Sequence, residues 1–237
     1  MSTIPEIIYS VRESVKQYTD DSELDDRYIL FKLNMARSVV LRQELNNLQR
    51  SVDVSVTQSI CLKFEEVSAY ECGLDIGCET IMRSVQPIPK VIDLDIKPAI
   101  YNVKPTKILG FPFTFVTRQK AAYYKHSPFP KTVYAFLHTD NHIYLISKNE
   151  THKLIDCVTV EGVFFDPSEL RNYTNCCDCS PETKSCFNEE ITQYPLAPHH
   201  LRVIIEDVFQ SLAGKELRIL EDKTNNANDT TTQADNS

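Results

Sequence analysis

The sequence predicts an α+β fold: a long N-terminal α-hairpin, a β-rich middle, a C-terminal helix packing back on the hairpin, and an extended polar tail. Three patterns carry this. Apolar residues recur at spacings of three and four through residues 1–50, apolar and polar residues alternate from Ser51 to about Gly162, and a last helical stripe begins at Leu201. With 237 residues, 42% of them hydrophobic, the chain can bury a substantial core.

The first helix is written by Ile4, Ile7, Ile8, Val11, Val15 and Tyr18, with Thr3 as N-cap and Pro5 and Glu6 in the first turn. Residues 19–22 break it. A second helix follows from Glu23 to about Gln49, with Ser22 capping and Asp25 and Asp26 near its positive end. At 1.5 Å per residue it would span roughly 40 Å. Leu24, Tyr28, Phe31, Met35 and Val39 form one stripe; Leu30, Leu33, Leu41, Leu45 and Leu48 form another on a different face. One stripe suffices to pack against a neighbouring helix. Two stripes leave two readings: both meet the chain's own core, or one meets a second subunit.

Strands are expected where the period turns to two: Val52, Val54 and Val56, then Ile60, Leu62 and Phe64, then the runs at 91–96, 111–116, 132–137, 142–147 and 158–165. The runs at 132–137 and 142–147, joined by His138, Thr139, Asp140 and Asn141, make the best hairpin. Residues 166–198 lack periodicity and read as a Cys-containing loop. The helix at 199–220 carries Leu201, Ile204, Ile205, Val208, Phe209 and Leu212, with Gly214 as a C-cap and a further apolar step at Leu217, Ile219 and Leu220. In the tail, 221–237, only Ala227 and Ala234 are apolar. Alone it cannot offset its ordering entropy. The expected domains are therefore 1–50, 51–165, 166–198, 199–220 and 221–237.

Composition narrows the function. A net charge of -8 with no Lys/Arg run argues against general phosphate binding. Only 5 glycines, none clustered, argue against a phosphate-cradling loop. No apolar run approaches the roughly 20 residues that span a bilayer. The N-terminus lacks the basic start and apolar block of a secretory leader. The chain is thus expected to begin in a cytoplasm, with its 8 cysteines as core residues or metal ligands rather than disulfides.

Candidate chemistry is sparse. Cys176 and Cys179 have C-x-x-C spacing, with Cys177 and Cys186 close by. A structural zinc site pairs two such halves, and here Cys186 with His199 or His200 would have to complete it. Reduced cysteines in a loop, or a disulfide formed after release from the cell, are the other readings. Cys72 and Cys78 read as small apolar groups at strand ends. His138, His142 and His152 lie near the hairpin, but no G-x-S-x-G or H-E-x-x-H accompanies them. Asp20, Asp21, Asp25 and Asp26 resemble a metal cluster and are more simply partners of a helix start.

The block DDSELDDRYILFKLNMARSVVLRQELN (20–46) resembles the start of the head–tail connector, or ring, proteins of short-tailed phages, especially the crAss-like group. QSICLKFEEVSAYEC (58–72), RSVQPIPKVI (83–92) and the ending at 194–229 fit the same family, so the resemblance covers nearly the whole chain. The Cys-rich insert at 176–186 is not matched to any of these blocks, and its role stays open. The resemblance implies a non-enzymatic virion protein, without cofactor, that forms a dodecameric ring below the portal. It implies contacts with portal protein and other tail or ring proteins, a tail reaching onto the portal, and genomic DNA passing the channel without specific binding. It also implies assembly in the host cytoplasm and a place at the head–tail junction. Leu30, Leu33, Leu41, Leu45, Leu48, Leu217, Ile219 and Leu220 are then the expected subunit interface. The competing reading is a zinc-stabilised protein-binding module built on the 176–186 cysteines.

Overall fold

The computed structural model describes residues 2–16, 24–47, 52–70, 73, 80–106, 112–126, 128–129, 131–148, 150–173 and 188–212. The elements run α1 (Ile4–Lys16), α2 (Asp26–Asn46), β1 (Gln58–Ser68), β2 (Thr80–Ser84), β3 (Ile100–Pro105), β4 (Thr114–Phe115), α3 (Arg118–Ala121), β5 (Val133–Leu137), β6 (Ile143–Ser147), β7 (Cys157–Gly162) and α4 (Pro198–Leu212). The fold is α+β. The chain divides into two compact units, residues 1–41 with 189–237, and residues 42–188.

In the first unit, α1 starts as its sequence suggests. The Glu6 carboxylate accepts the Thr3 amide at 2.9 Å, one half of a capping box. Ile4, Ile7, Val11 and Val15 are buried along one side, and α4, with Ile204, Val208 and Leu212 buried, lies against α1. Asp25 caps α2, its carboxylate accepting the Arg27 amide at 3.2 Å. Asp26 pairs with Arg12 of α1, which also donates to the Leu24 carbonyl. The inward side of α2 buries Ile29, Leu33 and Leu41, and between the leucines it buries Asn34 and Arg37.

In the second unit a seven-stranded sheet runs β3-β7-β1-β2-β6-β5-β4. All pairings are antiparallel except the short β4–β5 ladder. β1 joins its two halves: Gln58–Lys63 pairs with β7 and Phe64–Ser68 pairs with β2. The Phe113 amide donates to the Val103 carbonyl at 2.7 Å, so the sheet coils until its outer strands meet. The register places Ile60, Leu62, Phe64, Met82, Ala135, Leu145, Val158 and Val160 on one face. The opposite face carries Ile81, Phe136, Tyr144 and Ile146, covered by Ala121 and Tyr124. Phe136 and Tyr144 stack at 5.5 Å, worth about 0.5–1.5 kcal/mol beyond area burial. With both faces covered, all of β6 is buried. Gly162 ends β7 where a Cβ would lie 2.9 Å from the Ala99 carbonyl oxygen.

The hairpin of β5 and β6 forms as read, with Asn141 at positive φ and the Asp140 carboxylate accepting from Tyr144 Oη and the His142 amide. Elsewhere the alternation misleads. Val54–Val56 is a 3-10 turn started by Asp53, whose carboxylate takes the Ser55 amide. The run at 91–96 makes only isolated bridges at Val91 and Asp93. At 111–116 the strand is two residues long. Two strands escaped notice: β2 is short, and β3 carries Asn102 and Pro105, both poor strand formers.

Two predictions follow from the packing. Leu41 is fully buried, so a carboxylate there gives up its water and disrupts packed apolar contacts. Leu41→Glu is expected to cost about 4 kcal/mol or more and to abolish the cooperative melt of the isolated subunit. A variant that melts like wild type and fails only in assembly would contradict this. The second concerns His152, which is fully buried. Its Nδ1 accepts the Ser147 amide at 3.1 Å and lies 2.9 Å from the Ser147 hydroxyl, so a second proton would displace a backbone hydrogen bond. Burial, then the nearby Lys153 ammonium, hold its pKa below 6.5, against the opposing carboxylates of Glu150 and Glu66. A depressed pKa means the unfolded chain binds the proton better. The stability is complete above 6.5 and is lost as pH falls from there through the folded value. Melting curves from pH 7.5 to 5 should show a steeper loss for wild type than for His152→Gln; equal slopes would refute it.

Candidate interaction surface

The helix α2 presents two unlike faces. Leu33, Arg37 and Leu41, four residues apart, point inward. Phe31, Met35 and Val39, also four apart, lie on the other side and are 52%, 43% and 53% exposed. A Phe, a Met and a Val in line on a solvent face form more than the scattered apolar exposure ordinary in monomers. The rim of this stripe is basic: Arg27 is exposed, and the Lys32 ammonium lies 5.2 Å from the Tyr28 ring centre.

A buried polar set holds α2 in this orientation. The Arg37 Nε donates to the Pro195 carbonyl at 2.9 Å, and its guanidinium lies 5.6 Å from the Tyr194 ring centre. The Tyr194 hydroxyl donates to Asn34 Oδ1 at 2.9 Å, and the Tyr194 amide donates to the Ser2 carbonyl. Thr3 bridges Gln193 alongside. Residues 193–195 thus tie the N-terminus to α2, and rotating α2 would strip these groups of their partners.

The outward sides of α1 and α4 carry more carboxylates than cations: Lys16 pairs with Glu13 on α1, and Arg202 is exposed one turn before Glu206 on α4. Tyr9, 65% exposed, stands between Glu6 and Glu13 on α1. Val203, 58% exposed, is followed on the same side of α4 by exposed Glu206 and Asp207.

Of the leucines expected at the interface, four on α2 lie among the described residues. Leu33 and Leu41 are buried within the chain, at 1% and 0% exposure, and a side chain with no accessible surface has nothing to offer a neighbour. Leu30 and Leu45 are half-buried. The gap between Leu33 and Leu41 was the available signal: the stripe continues through Asn34 and Arg37, polar residues that turn inward. Leu48, Leu217, Ile219 and Leu220 lie outside the described residues, as do Ser22, Gly214, Asp20, Asp21, Cys72, Cys78 and the cluster Cys176, Cys177, Cys179 and Cys186. Cys61 is buried with its Sγ 3.7 Å from the Thr106 hydroxyl, whereas Cys157 is disulfide-bonded, against the expectation of reduced cysteines. His199 and His200 stack with ring centres 4.0 Å apart. His142 Nδ1 lies 2.6 Å from the Ser84 carbonyl oxygen, which holds the ring in a structural role. His138 packs edge-on against Tyr144, and burial holds it below its usual pKa. Asp25 and Asp26 cap and pair at the start of α2.

Comparison with known proteins agrees with the resemblance seen in the sequence blocks. A family model described as phage tail ring protein 2 matches residues 6–235. The "Ring protein 2" of Bacteroides phage crAss001 is 26% identical over 228 residues, covering 96% of this chain and 97% of that protein. A match running unbroken through the helical ends and the sheet identifies the whole chain: it belongs to the phage tail ring protein 2 family.

Proposed function

We propose that this chain is a non-enzymatic structural protein of a short-tailed phage virion, the repeating subunit of a ring at the head–tail junction. In this reading twelve copies form the ring below the portal and extend its channel, joining capsid to tail. They assemble in the host cytoplasm, and genomic DNA passes the channel without specific binding. The helical hairpin at 1–50 and the C-terminal helix at 199–220 are the assembling part, and the β-rich domain at 51–165 is the rigid body between ring neighbours. The 166–198 segment is the Cys-containing connection, anchored on α2 by Tyr194 and Pro195. The step at Leu217, Ile219 and Leu220, with Leu48, contacts other subunits, and the tail at 221–237 docks on the portal.

The observation that carries this reading is the family match from residue 6 to residue 235. The aligned apolar stripe on the outward side of α2 supports it, since a ring subunit needs apolar surface that its own core does not cover. The net charge of -8 suits a channel wall that must not retain DNA, because like charge repels. Among the described residues no helix is long and apolar enough to cross a membrane.

Co-expression with the portal protein of the same phage tests the reading. The expected product is a portal complex with a twelve-fold ring of this chain by electron microscopy, in which the 221–237 tail resists a protease that removes it from the free subunit. A monomer that never binds portal, or a tail equally protected in both states, would overturn it.

A further inference from the structure

Two unlike surfaces of the helical unit ask for partners. The α2 stripe of Phe31, Met35 and Val39 is apolar with Arg27 and Lys32 at its rim. The outward side of α4 pairs an apolar spot, Val203, with the carboxylates of Glu206 and Asp207, which outnumber the one exposed cation there, Arg202. Each is helical, so one ridge can lie in the groove of the other. Their net charges are opposite in sign, and both belong to every copy of the chain.

We infer that the occupant of the α2 stripe is a second copy of this chain, docking by the acidic outward side of its α4. The inference rests on the ring reading above and deepens it by naming the two surfaces that meet. The alternative in which stripe meets stripe about a two-fold axis sets one basic rim against another. Such a contact also closes on itself as a dimer. A contact between two different surfaces is head-to-tail, leaves each copy with one surface still open, and propagates until the rotation closes a ring. Charge complementarity then sets register and suppresses the like-with-like pairing, while the apolar stripe supplies the burial.

The test is a charge exchange in the full-length chain, read by sedimentation and by ring counts on portal. Arg27→Glu with Lys32→Glu makes the stripe's rim acidic. Glu206→Lys with Asp207→Lys makes the α4 face basic. Both pairs are at the surface, and circular dichroism confirms the fold of each. Each double variant alone should need a roughly tenfold or higher concentration for half-assembly than wild type. An equimolar mixture of the two should recover assembly, because the reversed rim of one then meets an α4 of opposite sign on the other, as should the chain carrying all four changes. Phe31→Ser with Met35→Ser should abolish assembly with the fold intact. If wild type itself does not assemble, the ring reading fails. If wild type assembles and either double variant assembles equally well, or the mixture shows no recovery, the pairing of these two surfaces is refuted.

Discussion

A buried guanidinium decides which side of α2 faces the interior. Arg37 has no accessible surface, and withdrawing a cation from water costs several kcal/mol unless hydrogen bonds and neighbouring dipoles replace the lost solvent. The replacements come from far along the chain, the Pro195 carbonyl and the Tyr194 ring, and Tyr194 in turn satisfies Asn34. Leu33 and Leu41 stand one turn either side of Arg37 and are carried inward with it. The outward direction of Phe31, Met35 and Val39 is the geometric consequence. The same contacts hold the segment leading into α4 beside the N-terminus, so one polar cluster positions both surfaces through which the subunit would meet its neighbours.

The β unit obeys a different constraint. A seven-stranded sheet has two edges, and exposed edges template unwanted pairing. Here coiling brings them together at the Phe113–Val103 hydrogen bond, and β1 makes it feasible by changing partner at its midpoint. On the outer side of the β3–β7 edge, Lys104 and Asn102 hold the Glu161 carboxylate, and the lysine first, against the effect of burial, keeps its pKa below the usual carboxylate value. A rigid, self-contained sheet suits a subunit that must repeat identically around an axis.

Much of this was legible in the residue pattern. The 3.6-residue period marked α1, α2 and α4, and the β5–β6 hairpin followed from two alternating runs around a turn. The inward face of α2 stayed open because a stripe count does not rank one apolar stripe above another and treats arginine as outward. Burial of Arg37 depends on Pro195 and Tyr194, more than 150 positions away, and no local pattern reports such a partner. The valines at 52–56 misled because alternation cannot register a turn begun by an Asp side chain. The exposed stripe is aromatic, thioether and β-branched, residue types that a count of leucines does not single out. The family resemblance was carried by blocks of sequence spread along the whole chain, and this is why it survived those local errors.

The central claim is that the Phe31–Met35–Val39 face is open in the free subunit and covered in the assembled particle. Met35 reports on it directly, being 43% exposed in the single chain. Its rate of oxidation by dilute peroxide, followed by mass spectrometry of the peptide that contains it, can be compared between isolated subunit and intact ring. The account predicts rapid sulfoxide formation in the subunit and protection by tenfold or more in the ring, an order of magnitude consistent with loss of solvent access. Equal rates in both states would mean that this face never meets a partner, and the account would be wrong.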